Sequence, residues 1–99
     1  MRKIVFSPRS KFQLDSLLDY LEIRFSVSMK KKFVLKLDKV IIIIQKDPDT
    51  FSKLNSNTAI RKCVISKQTT LYYRYNNHEI RLLSLFDTRQ NPTKINKIK

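Results

Sequence analysis

The sequence predicts an α+β domain in the order β-α-α-β-β-β, with a helical hairpin packed on one face of a small, mostly antiparallel sheet. Three observations carry this. Apolar residues recur at helical spacing through the first half, the pattern switches to period two near residue 60, and the two halves meet at a polar stretch from Asp49 to Thr58. At 99 residues and 41% hydrophobic the chain makes one domain with a core of its own. We place that domain at residues 1–92, followed by a basic tail at 93–99.

Lys3 to Phe6 reads as a short strand, being β-branched and aromatic without helical spacing. Ser7-Pro8 then starts a helix, with serine as the N-cap and proline at the first position, where a missing N–H costs nothing. Leu14, Leu17, Leu18, Leu21 and Phe25 form one stripe, so residues 8–25 make an amphipathic helix. Ser26-Val27-Ser28 offers caps for a second, in which Phe33, Leu37, Val40, Ile41 and Ile44 repeat the spacing up to Asp47-Pro48. The β-branched run Val40 to Ile44 suits a buried strand on propensity, but its length and stripe favour helix.

Ile60 to Ile65, Thr69 to Tyr75 and Glu79 to Phe86 alternate as strands, and Asn76-Asn77 supplies a two-residue turn between the last two. That turn sets Tyr75 opposite His78, Arg74 opposite Glu79, Tyr73 opposite Ile80, Tyr72 opposite Arg81 and Leu71 opposite Leu82. Leu71, Tyr73, Ile80 and Leu82 then face the helices, and Tyr72, Arg74, Glu79 and Arg81 face away.

Charge narrows the function. With 21 Lys+Arg against 8 Asp+Glu the net charge is +13, which attracts nucleic acid, ribosomes, anionic membrane or an acidic protein. Residues 61–99 carry net +7 and residues 1–60 net +6, so the shorter sheet half is the denser. Glycine is absent, which excludes a dinucleotide fingerprint, a Walker A loop and a nucleophile elbow, and leaves any left-handed backbone position to Asn or Asp. Cys63 is the single cysteine and reads as a small buried hydrophobe, which implies no disulfide and a reducing, cytoplasmic setting. Ile4-Val5-Phe6 is too short for a signal peptide, and no run approaches the ~18 apolar residues of a membrane span, so no membrane partner is expected.

Asp15, Asp19 and Glu22 flank the first helix as a solvated stripe rather than as hydrolytic carboxylates, which would need burial to separate their pKa values. His78, the sole histidine, sits at the hairpin turn without ligand partners, so no metal and no cofactor are expected. Lys30, Lys31 and Lys32 open the second helix, where the macrodipole disfavours cations; they read as a solvated face or a contact for an acidic partner. The sharpest group is Arg61, Lys62, Tyr72, Arg74, Arg81 and Arg89, in which guanidiniums around an aromatic ring hold phosphate and stack bases.

Ser7-Pro8-Arg9 after the first strand, the helical hairpin, Leu71-Tyr72-Tyr73-Arg74-Tyr75 and the ending Leu85-Phe86-Asp87-Thr88-Arg89-Gln90-Asn91-Pro92 resemble the RelE/ParE superfamily of bacterial type II toxin–antitoxin systems. The resemblance implies a toxin neutralised by a cognate acidic antitoxin. It implies one of two targets: messenger RNA on the ribosome for RelE-like members, which are endoribonucleases, or DNA gyrase for ParE-like members. A RelE-like ribonuclease here would draw on Arg61, Tyr72, Arg81 and Arg89. Yet Cys63 stands where a second lysine would be, Thr70 where the hairpin arginine would be, and Ile95 where the terminal tyrosine would be. The tail Thr93 to Lys99 has no Tyr or His, so the proton donor for in-line cleavage is missing from it. The resemblance thus favours a ParE-like gyrase poison over a ribosome-dependent ribonuclease, with a non-toxic basic nucleic-acid-binding domain as the third reading.

Overall fold

The computed structural model describes residues 1–90, so Asn91, Pro92, Ile95 and the tail at 93–99 lie outside the described residues. The elements are β1 (Lys3–Phe6), α1 (Pro8–Arg24), α2 (Val27–Lys46), β2 (Arg61–Val64), β3 (Thr69–Tyr75) and β4 (Glu79–Asp87). This is the α+β order that the sequence predicts. The sheet runs β1-β4-β3-β2, with β1 parallel to β4 and the other neighbours antiparallel.

Both helices begin as their caps dictate. Ser7 Oγ accepts from Ser10 N at 3.0 Å and Ser26 Oγ from Met29 N at 3.1 Å, each satisfying an N–H that the helix leaves unpaired. Phe25 and Ser26 alone join the helices, both donating their N–H to Leu21 O. The Val40 to Ile44 run is helical because Ile44 is fully buried and Val40 and Ile41 pack beside it. The stripe therefore outweighs the strand preference of isoleucine. Leu17 and Leu21 of α1 and Phe33, Leu37 and Ile44 of α2 close over Cys63, Leu71, Tyr73, Ile80, Leu82 and Leu85 of the sheet.

Two features of the sheet differ from expectation. Asn76, not Tyr75, closes the hairpin: its N–H donates to Glu79 O at 3.0 Å, and its Oδ1 accepts from the backbone N–H groups of His78 and Glu79. The turn thus forms over Asn77-His78 with the Asn76 side chain as a local cap. No described residue takes a positive φ, so among the described residues no Asn or Asp has to stand in for the missing glycine. The register moves by two residues, placing Tyr75 opposite Ile80, Arg74 opposite Arg81 and Tyr73 opposite Leu82. A two-residue shift preserves which face each side chain occupies, so the expected core set is still buried.

The second difference is a bulge. Tyr72 pairs with Ser84 and Leu71 with Leu85, leaving Leu83 as the extra residue. β1 covers β4 only up to Leu82, and beyond it α1 satisfies the bare edge. Ser10 Oγ donates to Leu82 O at 2.8 Å, Ser7 Oγ donates to Leu83 O at 2.9 Å, and Gln13 Oε1 accepts from Leu85 N at 2.8 Å and Ser84 Oγ at 3.1 Å. Polar side chains of the first helical turns thereby replace a missing strand. At the opposite edge Ser52–Leu54 adds a short antiparallel rung to β2, through Leu54 N to Ile60 O and Lys62 N to Ser52 O.

Candidate functional site

The helices cover one face of the sheet, and alternation sends Lys3, Lys62, Tyr72, Arg74, Glu79 and Arg81 to the other. Arg74 lies directly opposite Arg81. Arg81 donates Nε and Nη2 to Glu79 Oε2, both at 3.0 Å, whereas no described residue pairs with the exposed Arg74 guanidinium. Ala59, Arg74, Tyr75, Asn76, Glu79 and Arg81 surround an open cavity of about 320 Å3. Tyr72 is opposite Ser84 rather than Arg81, and borders a neighbouring hollow with Arg9, Leu54 and Ile60.

Arg61 and Arg89, grouped with these residues from the sequence, stand elsewhere. Arg61 pairs with Tyr73, on the helix side. Its side chain is 13% exposed, donating Nη1 to Phe51 O at 2.7 Å and bridging Asp49 at 2.8 Å. Tyr75 bonds the same Asp49, and the Arg2 and Arg61 guanidiniums lie 5.1 and 5.8 Å from the centre of its ring. These contacts, with Tyr73 Oη donating to Pro48 O at 2.8 Å, strap the segment after α2 onto the sheet. Parity carried the signal in the sequence: Arg61 is two residues from Cys63 and shares its face, while Lys62 takes the other.

Arg89 folds back on Asp87, donating Nε to Oδ1 at 3.1 Å and Nη2 to Oδ2 at 2.8 Å. Asp87 is 1% exposed and also accepts from Thr69 Oγ1 at 2.6 Å. Burial alone would raise its pKa, but the hydrogen bonds from Arg89 and Thr69 outweigh it and hold the carboxyl below the usual range. The fixed guanidinium borders a cleft of about 150 Å3 between α2 and the β2–β3 turn. Leu21, Phe33 and Met29 give the cleft an apolar floor, Lys32 and Lys36 add cations, and Ser66 and Gln68 add neutral hydrogen-bonding groups. Sequence reasoning missed Lys36, Ser66 and Gln68, because only the fold brings them beside Arg89.

The lysine triplet splits three ways. Lys32 lines the Arg89 cleft, Lys30 pairs with Glu22, and Lys31 borders an apolar surface hollow with Val34 and Leu35. His78 is exposed at the hairpin turn. Cys63 is buried, which pushes its thiol up to about 11. Among the described residues no three His, Cys, Asp or Glu gather as metal ligands, and no helix is long and apolar enough to cross a membrane.

No protein-family model and no curated protein matches the sequence. Solved structures do. A chain of the chromosomal ParDE TA system from P. aeruginosa is similar with a TM-score of 0.71 and 13% identity, covering 88% of this chain and 96% of that one. The YoeB dimer from Staphylococcus aureus gives 0.64 and 22%, covering 86% and 94%, and YafQ from E. coli gives 0.59 and 14%, covering 90% and 96%. The chain has the fold of the RelE/ParE toxins.

Proposed function

We propose that this chain is the toxin of a type II toxin–antitoxin pair, a ParE-like protein that arrests growth by binding and poisoning DNA gyrase and is neutralised by an acidic antitoxin. What supports binding rather than cleavage is the composition of the Arg89 cleft: among the described residues its polar lining is Lys32, Lys36, Ser66, Gln68 and Arg89. That set can hold an anion, but in-line cleavage also needs a group that activates the 2′-hydroxyl and one that protonates the leaving oxygen. Tyr72 sits on the other face of the sheet and His78 at the hairpin turn, so neither shares the cleft with Arg89. Two similar proteins, YoeB with YefM and YafQ with DinJ, form complexes, which supports an antitoxin partner here.

The test is a supercoiling assay with purified toxin, gyrase and ATP. Inhibited supercoiling with trapped, cleaved DNA is the expected result, and no effect at excess toxin rejects the proposal. Codon-phased cuts in messenger RNA after induction would instead assign the ribonuclease reading.

A further inference from the structure

We infer that the outer face of the α1–α2 hairpin, the side turned away from the sheet, is a docking surface for a second copy of this chain. The inference goes beyond the proposed function and does not depend on it.

Each helix buries one stripe toward the sheet, Leu17 and Leu21 on α1 and Phe33, Leu37 and Ile44 on α2. A residue two positions past a buried one lies roughly 200° around the helix, so Asp19 and Ile23 on α1 and Leu35 and Lys39 on α2 turn outward. Ile23 is 79% exposed and Leu35 61%, and Ile42, two turns past Leu35, is exposed as well. Such a row of large apolar side chains on the solvent side of a hairpin marks a contact surface.

The charges on this face identify the occupant. α1 carries Arg9, Lys11 and Arg24 against Asp15, Asp19 and Glu22 and is neutral in a chain of +13, whereas lysines dominate α2 and Asp38 is its single acid. Among the described residues nothing pairs with Asp19, Lys31 or Lys39. An anionic membrane or an acidic polypeptide suits Lys31 and Lys39 but meets Asp15, Asp19 and Glu22 beside them. A face that is acidic on one helix and basic on the other is complementary to its own two-fold image.

The Glu22–Lys30 ion pair sets the two helices level at those residues. At ~1.5 Å per residue in opposite directions, Asp19 is then level with Phe33 and Asp15 with Leu37. A two-fold axis along the hairpin lays α1 of each copy on α2 of the other at the same level. Asp19 comes about 3 Å along the axis from Lys31 and Leu35 of the second copy, and Asp15 about 3 Å from its Lys39. Ile23 leans toward the start of α1, over the second copy's hollow of about 280 Å3 bordered by Lys30, Lys31, Val34 and Leu35. The uncovered sheet faces then point away from each other, which keeps Lys62, Arg74 and Arg81 of the two copies apart.

The experiment is sedimentation equilibrium of the full chain across protein concentration. A monomer–dimer equilibrium is expected, and Asp19→Lys and Lys31→Asp should each weaken it roughly tenfold, because the two-fold places every change at two contacts. The double variant should return to within about threefold of the wild type, since the reversed charges attract again. Leu35→Lys should leave the chain monomeric with its circular dichroism unchanged. A wild type that stays monomeric up to about 1 mM overturns the inference. So does a dimer that neither single reversal weakens, or a double variant no tighter than the single ones. A monomer that binds phosphatidylglycerol vesicles or polyglutamate, more tightly as Asp19→Lys and not at all as Leu35→Lys, also overturns it and assigns the face to a membrane or an acidic polypeptide. Gyrase inhibition is scored separately, so each proposal fails on its own result.

Discussion

Asp87 lies buried beneath Arg89 and receives two hydrogen bonds from its guanidinium, at 3.1 and 2.8 Å, plus one from its backbone N–H at 2.9 Å. A fully buried carboxylate is costly unless its oxygens are satisfied, and here Arg89 and Thr69 share that task. The same bonds fix Arg89 at the border of the cleft. Asp87→Asn should therefore destabilise the fold by about 2 kcal/mol, measured by urea unfolding at pH 7.

The pH dependence of that loss has a definite sign. Asp87 has a depressed pKa in the folded state, so its contribution is complete above the unfolded value of about 4 and is lost as pH falls through the folded value. Between pH 7 and 3 the wild type should lose more stability than Asp87→Asn, and the two urea midpoints should converge. Midpoints that stay parallel would show that Asp87 does not carry the acid sensitivity.

Tyr73 makes the opposite prediction at alkaline pH. Burial pushes its phenol up to about 12, against a smaller opposing pull from Arg61. A raised folded value means that this contribution is intact below the unfolded value of about 10 and is lost as pH climbs to about 12. Ultraviolet titration of the native protein should show one tyrosine ionising last, and Tyr73→Phe should remove that step. The substitution also deletes the bond to Pro48 O, at a cost of about 1 kcal/mol.

Gln13 is the least obvious stability determinant, since a polar side chain on an amphipathic helix reads as solvent-facing. Its Oε1 instead serves the Leu85 N–H and the Ser84 hydroxyl at the bare edge of β4. Gln13→Ala should cost about 1 to 3 kcal/mol by leaving a sheet N–H unpaired. Faster amide exchange at Leu85, with Leu71 unchanged, would locate the effect.

Lys32 and Lys36 test the cleft without touching the Asp87 network. Changing both to alanine should move stability by no more than about 0.5 kcal/mol per site, yet reduce inhibition of supercoiling at least about tenfold if the cleft holds an anionic group of the target. Unchanged inhibition at equal protein concentration would remove the cleft from the proposed function.

Much of this protein was legible as sequence because its signals are local. The stripe from Leu14 to Leu21, the serine caps and the alternation of Thr69 to Tyr75 each act within a few residues, and they set the element order and the buried faces; Phe25, expected to extend the stripe, instead caps the helix and is exposed. The density of positive charge in the sheet half is likewise a property of composition.

The tertiary structure decided the pairings, because these depend on partners distant in sequence. The Asn76 side chain fixes the hairpin locally, but Ser7, Ser10 and Gln13 reach the edge of β4 beyond β1 through contacts that bridge more than 70 residues. Arg61 takes the helix side by alternation and is held there by Asp49 and Phe51, while Arg89 is folded back onto a buried aspartate, so one apparent cationic cluster is split between the two faces. Alternation alone assigns a face to each residue within a strand. Which strand lies opposite which, and where a long guanidinium swings at a strand's end, is set by the burial of polar groups that only the assembled fold brings together.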